Sequence, residues 1–213
     1  MNRPQFNIVA GIAGAILFVA VFMIEGAVRP GYDPFGMYVS ELSLGPRGWV
    51  QIANFMVFGL LFLVFARGLA TRFRADGIKS AGPMLLSIVA ISYFFSGPFV
   101  TDPGFVLVGQ KSWHGVIHGV FGATVFLLMP ISCFVFVRAF GRTAEWRSLR
   151  AWTLAAGLVV AGAVLLLTFA TKLPVPQDGL APWLGLIQRA AIIPFMAWLV
   201  LFGIATLRKE IPE

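Results

Sequence analysis

The chain has little chemistry to spare. Among 213 residues there is one cysteine, Cys133, and there are two histidines, His114 and His118. A lone cysteine excludes an internal disulfide and any metal site built on several thiolates. Two imidazoles four residues apart on one helix lie on the same side and cannot clasp opposite faces of a haem. Charge is also scarce, at 12% of residues. No phosphate-binding glycine loop and no serine-hydrolase elbow is present.

What the chain has instead is apolar length. Hydrophobic residues make up 59% of it, and the mean hydropathy is +0.88. Runs of membrane-spanning length, roughly 20 residues, cover about Phe6 to Ile24, Trp49 to Leu69, Pro83 to Val100, Ser112 to Phe140, Ala151 to Thr171 and Trp183 to Leu207. The expected fold is all-α, a single domain over residues 1–213 forming a multi-pass integral membrane bundle of six transmembrane helices. The connections leave no room for a soluble domain, and the first run reads as an uncleaved span rather than a signal peptide.

The net charge of +7 would suggest nucleic acid in a soluble protein, but its distribution indicates topology. Arg3, Arg67, Arg72, Arg74, Lys79, Arg138, Arg142, Arg147, Arg150, Arg208 and Lys209 fall on one side. Arg29, Arg47, Lys111, Lys172 and Arg189 fall on the other, where they are offset by Glu25, Asp33, Glu41, Asp102 and Asp178. The positive-inside rule therefore places both termini in the cytoplasm, with the protein in the cytoplasmic membrane and the lipid bilayer as its partner. No nucleic-acid partner is expected.

Helix one is rich in small residues (Gly11, Ala13, Gly14, Ala15), which permits close helix approach in lipid. The first external connection, Gly26 to Gly48, is expected to bracket a short interfacial helix between two turns, with Tyr32, Tyr38 and Trp49 at the headgroup level. Pro98 is expected to kink the outer end of helix three. The fifth connection, with Pro174, Pro176 and Pro182, reads as an extended external segment.

An ionisable side chain below the bilayer surface is a functional hypothesis by default. His118 and Arg189 each lie about 9 Å inside the outer ends of their helices, at roughly 1.5 Å per residue. Asp102, Glu41 and Glu25 approach the same outer level, whereas the inner half of the spans is almost entirely apolar. The pattern predicts an outward-facing polar site. Two histidines at i and i+4 with Asp102 supply three metal ligands and leave a position for water, so zinc is the cofactor such a set would take. Glu41 is then the general base, and Ser40, Arg189 and Glu25 are binding residues. Arg189 is also expected to form a buried ion pair, with a lipid-phosphate clamp as the sharper alternative. The plainer reading makes His118 a structural donor to Asp102, Glu41 or a backbone carbonyl. Gly115, Gly119 and Gly122 beside the histidines permit close approach of a helix or a ligand.

The segments Arg29-Pro30-Gly31-Tyr32-Asp33-Pro34, Ser40-Glu41-Leu42, Gly45-Pro46-Arg47-Gly48-Trp49, Thr101-Asp102-Pro103 and Trp113-His114-Gly115-Val116-Ile117-His118 resemble the bacterial membrane family catalogued as domain of unknown function 998. The resemblance spans nearly the whole chain and implies a six-helix bundle, with no activity attached. More distantly, Ser40, Asp102, His114 and His118 are similar in type to the site of membrane hydrolases that include alkaline ceramidases and adiponectin-type receptors, whose zinc site hydrolyses lipid amides. This chain departs from that pattern in having six spans rather than seven and no third histidine.

Three readings stay open at this point. One is a site for a small molecule or lipid headgroup, with or without metal-dependent hydrolysis. Another is a transporter or ligand-responsive module in which His118 carries a proton. The last is a structural or partner-binding membrane protein. The residues fix neither an enzymatic role nor an oligomeric state.

Overall fold

Five helices are long and apolar enough to cross a membrane, and a shorter apolar helix stands between the second and third of them. The computed structural model describes residues 3–104, 110–172 and 179–209. The helices are α1 (Arg3–Val28), α2 (Gly48–Ala75), α3 (Gly82–Phe95), α4 (Trp113–Gly141), α5 (Arg150–Lys172) and α6 (Leu184–Arg208). Each packs on its neighbours in sequence, and α1 against α6 closes the ring. Both termini therefore emerge on one face. The proline-rich stretch with Pro174, Pro176 and Asp178 lies outside the described residues.

Lipid supplies no hydrophobic force between helices, so close packing must hold them together. The glycines of α1 allow it: a Cβ on Gly11 would lie 2.3 Å from Phe65, and one on Gly14 would lie 2.9 Å from Leu61. A column of rings fills the ring of helices. It runs from Tyr93 and Phe55 through Phe18, Phe58, Phe62 and Phe195 to Phe202, Phe136, Phe73 and Trp146, with many pairs edge-to-face. These contacts provide dispersion and quadrupole attraction that does not depend on water.

The termini face is polar at its centre. Arg72 pairs with Asp76 at 3.0 Å and with Glu145 at 3.2 Å, Trp146 Nε1 donates to Asp76 Oδ2 at 3.0 Å, and Lys209 stands 4.7 Å from the Trp146 ring centroid. Asp76 and Glu145 do not figure in the outer-face pattern read from sequence. The spacing of Arg72 and Asp76, one helical turn apart, is the signal that marks their pairing.

On the opposite face, the first connection differs from the expected interfacial helix. Val39–Ser43 is a 3₁₀ turn whose five residues are all buried in the mouth of the bundle. Tyr32 is buried as well, while Trp49 is exposed. The cause is a dense set of anchors. Arg29 donates to Leu42 O and Leu44 O, Tyr32 Oη donates to Tyr38 O, and Arg47 pairs with Glu25. A Cβ on Gly185 of α6 would lie 2.3 Å from Met37 O, so the connection and α6 meet backbone to backbone.

Helix α3 ends early. Its 14 residues rise about 21 Å, short of the ~30 Å hydrocarbon thickness. The chain leaves the helix at Ser96-Gly97-Pro98, ahead of a proline that cannot donate to a further turn. Non-helical backbone is tolerated at membrane depth only where protein covers it, and here Ile52 and Met56 of α2 back Gly97 while His118 of α4 holds Phe99 O.

Candidate functional site

Of the residues expected to form the outer site, Ser40 and His118 come together in one cleft, and the others do not join them. His118 is buried one turn below Gly115, and its Nδ1 lies 2.7 Å from Phe99 O, just beyond the end of α3. A carbonyl only accepts, so Nδ1 carries the proton. In the neutral form of the ring the lone pair is then on Nε2.

Asp102 does not meet His118. Its Oδ2 accepts from Ser112 N at 3.1 Å, and the carboxylate rests on Gly115, where a Cβ would lie 2.0 Å away. Ser112 in turn accepts from Gly115 N at 3.0 Å. This is N-terminal capping of α4 by a hydroxyl and a carboxylate. His114 packs against Trp113, the rings tilted by 33° with centroids 3.5 Å apart, and its buried Nδ1 has no partner among the described residues. Among those residues, no three His, Cys, Asp or Glu side chains gather closely enough to hold a metal ion. Of the expected set, His118 and Asp102 are turned to separate partners and His114 Nδ1 has none among the described residues, so the geometry does not fit a zinc centre.

Glu41 is likewise occupied. Its Oε2 accepts from Tyr38 N at 2.7 Å and its Oε1 from Gly104 N at 2.8 Å, so one carboxylate caps the 3₁₀ turn and ties it to the segment that carries Asp102. Glu25 serves Arg47. Arg189 corrects the expected ion pair: among the described residues it meets no carboxylate. One of its terminal nitrogens donates to Pro34 O, Met37 O and Gly185 O at 2.7, 3.1 and 3.0 Å, and the other donates to Tyr32 Oη at 2.6 Å. The rings of Phe22 and Tyr32 flank it, with centroids 5.9 and 5.7 Å away. A guanidinium spent on carbonyls and rings anchors the first connection and is not presented to an outside anion.

The cleft lies between α4 and α5, under the 3₁₀ turn. Its main volume, about 480 Å³, runs from Tyr38, Ser40, His118 and Gln188 at one end to Phe126, Leu127 and Val164 at the other. From His118 to Leu127 the drop along α4 is roughly 14 Å. A smaller chamber of about 40 Å³ extends it inward past Ser96 and Tyr93. Both volumes share Ser40, His118, Gly122 and Gln188. Gly119 and Gly122 hold the cleft open, since a Cβ on either would meet nothing within 4 Å. Thr168 and Leu127 on its flank are exposed, so the cleft opens sideways between the helices.

The polar end offers several hydrogen bonds and no fixed charge. Gln188 Oε1 accepts from Val39 N at 2.7 Å, which leaves its amide hydrogens as donors. Burial and the neighbouring Glu41 charge push the Tyr38 phenol up to about 12, so it remains a neutral hydroxyl. The described lining includes no Asp, Glu, Lys or Arg. Thr168 and Thr171, one turn apart on α5, escaped sequence reasoning because isolated threonines in a span ordinarily bond their own backbone. Both do so here, to Val164 O and Leu167 O.

A family model described as protein of unknown function (DUF998) matches residues 12–205. No curated protein and no solved structure matches the chain. By that match over most of its length, the chain belongs to the DUF998 family.

Proposed function

We propose that this DUF998 protein binds an amphiphile with one acyl-type chain and an uncharged, hydrogen-bonding head, taken sideways from the bilayer leaflet opposite the termini. The observation that carries this reading is the gradient along the α4–α5 cleft. Tyr38, Ser40, His118 and Gln188 line the end near the surface, and Phe126, Leu127 and Val164 line the end towards the bilayer centre. A binding site is expected to combine apolar walls with a few placed polar groups.

The absence of formal charge among the described lining residues favours a hydroxyl, ester or amide head over a phosphate. The lone pair of His118 Nε2 suits a hydroxyl donor. The basic excess on the termini face supports a cytoplasmic placement of that face, which makes the bound lipid one of the outer leaflet.

The test is photo-crosslinking in vesicles with a monoacylglycerol that carries a diazirine in its chain. Adducts on peptides from α4 and α5, reduced by excess unlabelled monoacylglycerol, support the proposal. Labelling spread evenly over all six helices refutes it. Metal analysis of the same preparation addresses the other reading: stoichiometric zinc, lost in His118→Ala, favours metal-dependent hydrolysis over simple binding.

A further inference from the structure

A second groove lies on the termini face, between the start of α5 and the end of α6. It encloses about 580 Å³, with Trp152, Leu201, Ile204 and Ala205 along its walls and Ser148 and Arg208 at its rim. The walls are apolar and the rim is cationic, the reverse of the neutral cleft on the other face.

Among the described residues the charge at the rim has no internal answer. Arg147, Arg150 and Arg208 are exposed, and among the described residues none has an ion-pair partner. Glu145, the acid on the connection leading into α5, is already paired with Arg72 at 3.2 Å and with Lys209 at 3.8 Å. Lys209 is held over Trp146, which fixes the end of α6 and leaves Arg208 facing outward. Trp152 is 54% exposed, an indole edge at the level where headgroups meet hydrocarbon. Helix α5 is also the least enclosed of the five long spans, with 22% of its apolar window buried inside the protein. Most of its apolar window is therefore left outside the packing of the bundle.

We infer that this groove is a binding site for an anionic glycerophospholipid of the leaflet on the termini side. Its phosphate meets Arg208 and the Ser148 hydroxyl, and one acyl chain lies against Trp152, Leu201 and Ile204. A guanidinium matches phosphate oxygens in geometry as well as charge. Apolar walls that open towards hydrocarbon select a lipid over a soluble anion. Basic pockets between helices on the cytoplasmic side are a recurrent means of holding such headgroups. This inference is independent of the proposed cleft ligand: a different face, a different pair of helices and a cationic rim in place of a neutral one carry it.

Native mass spectrometry of the purified protein tests it, with equal amounts of phosphatidylglycerol and phosphatidylcholine of identical chains. The wild type should retain phosphatidylglycerol preferentially. Arg208→Gln should cut that preference about fivefold, the equivalent of ~1 kcal/mol per basic residue near a membrane surface. Arg208→Lys should restore most of it, and Arg3→Gln, a charge removed elsewhere on the same face, should leave it unchanged. Equal retention of the two lipids by the wild type, an undiminished preference in Arg208→Gln, or an equal loss in Arg3→Gln would overturn the inference.

Discussion

The Nδ1–H of His118 donates to the carbonyl oxygen of Phe99 at 2.7 Å, joining α4 to the backbone just past the end of α3. That bond requires α3 to stop short and fixes which ring nitrogen carries a lone pair. In the proposed binding mode, structure and ligand recognition depend on different nitrogens of one imidazole. His118→Asn keeps a donor for Phe99 O and removes the second nitrogen. It should stay within about 1 kcal/mol of wild-type stability, the net worth of a typical hydrogen bond, and lose monoacylglycerol labelling. His118→Leu should lose both. Thermal unfolding in detergent, read beside crosslinking yield, separates the two roles.

Glycines along α4 carry opposite signs. Gly122 faces open space, so Gly122→Ala should raise stability by ~0.5–1 kcal/mol, the usual penalty of a helical glycine. Gly115 faces the Asp102 carboxylate, where an added Cβ would lie 2.0 Å away. Gly115→Ala should therefore destabilise by ~1–3 kcal/mol, as overpacking does. Thermal melts of the two variants should move in opposite directions.

Much of this arrangement was legible in the chain, for reasons that residues make clear. The spans follow from apolar length, and the close approach of α1 to α2 follows from Gly11 and Gly14. The placement of His118 follows from its distance to the helix end, and that of Ser40 from its position in the first connection. The partners were not legible. Glu41 read as a general base and Asp102 as a metal ligand because nothing in sequence shows that backbone amides of Tyr38, Gly104 and Ser112 claim them. Arg189 read as half of an ion pair because carbonyl acceptors exist at every residue and carry no sequence signature. The first connection looked interfacial because its turn residues signal exposure, while its burial is decided by Arg29 folding back on Leu42 and Leu44 and by Arg189 reaching in from α6. Gly119 and Gly122 suggested close approach by a helix or a ligand, and only the position of α5 shows that no helix fills the space.

Arg189 should be essential to the first connection rather than to any anion. Arg189→Lys retains the charge but cannot serve Pro34, Met37, Gly185 and Tyr32 together. The expected loss is ~1.5–3 kcal/mol or more, the range for hydrogen bonds from a charged group. Limited proteolysis should then cleave within residues 29–47, a segment that should resist in the wild type.

Tyrosine ionisation offers a pH test. Burial raises Tyr32, and burial with the Glu41 charge raises Tyr38 from 10.0 to about 12. A phenol is neutral when protonated, so the unfolded chain ionises first. The associated stability is complete below pH 10 and is lost as pH climbs towards about 12. An ultraviolet titration of the Tyr93→Phe variant, in which Tyr32 and Tyr38 are the remaining phenols, should show phenolate delayed well past the ordinary value until the protein unfolds.

The most direct measurement of the central claim is the affinity of monoacylglycerol for the wild type and for Gly122→Leu, by native mass spectrometry after lipid removal. Leucine at 122 points into the space that the glycine leaves open and should fill the cleft without disturbing the bundle. The account predicts at least a tenfold loss of affinity, about 1.4 kcal/mol, with thermal stability equal to or above wild type. Undiminished binding in a stably folded Gly122→Leu would contradict it.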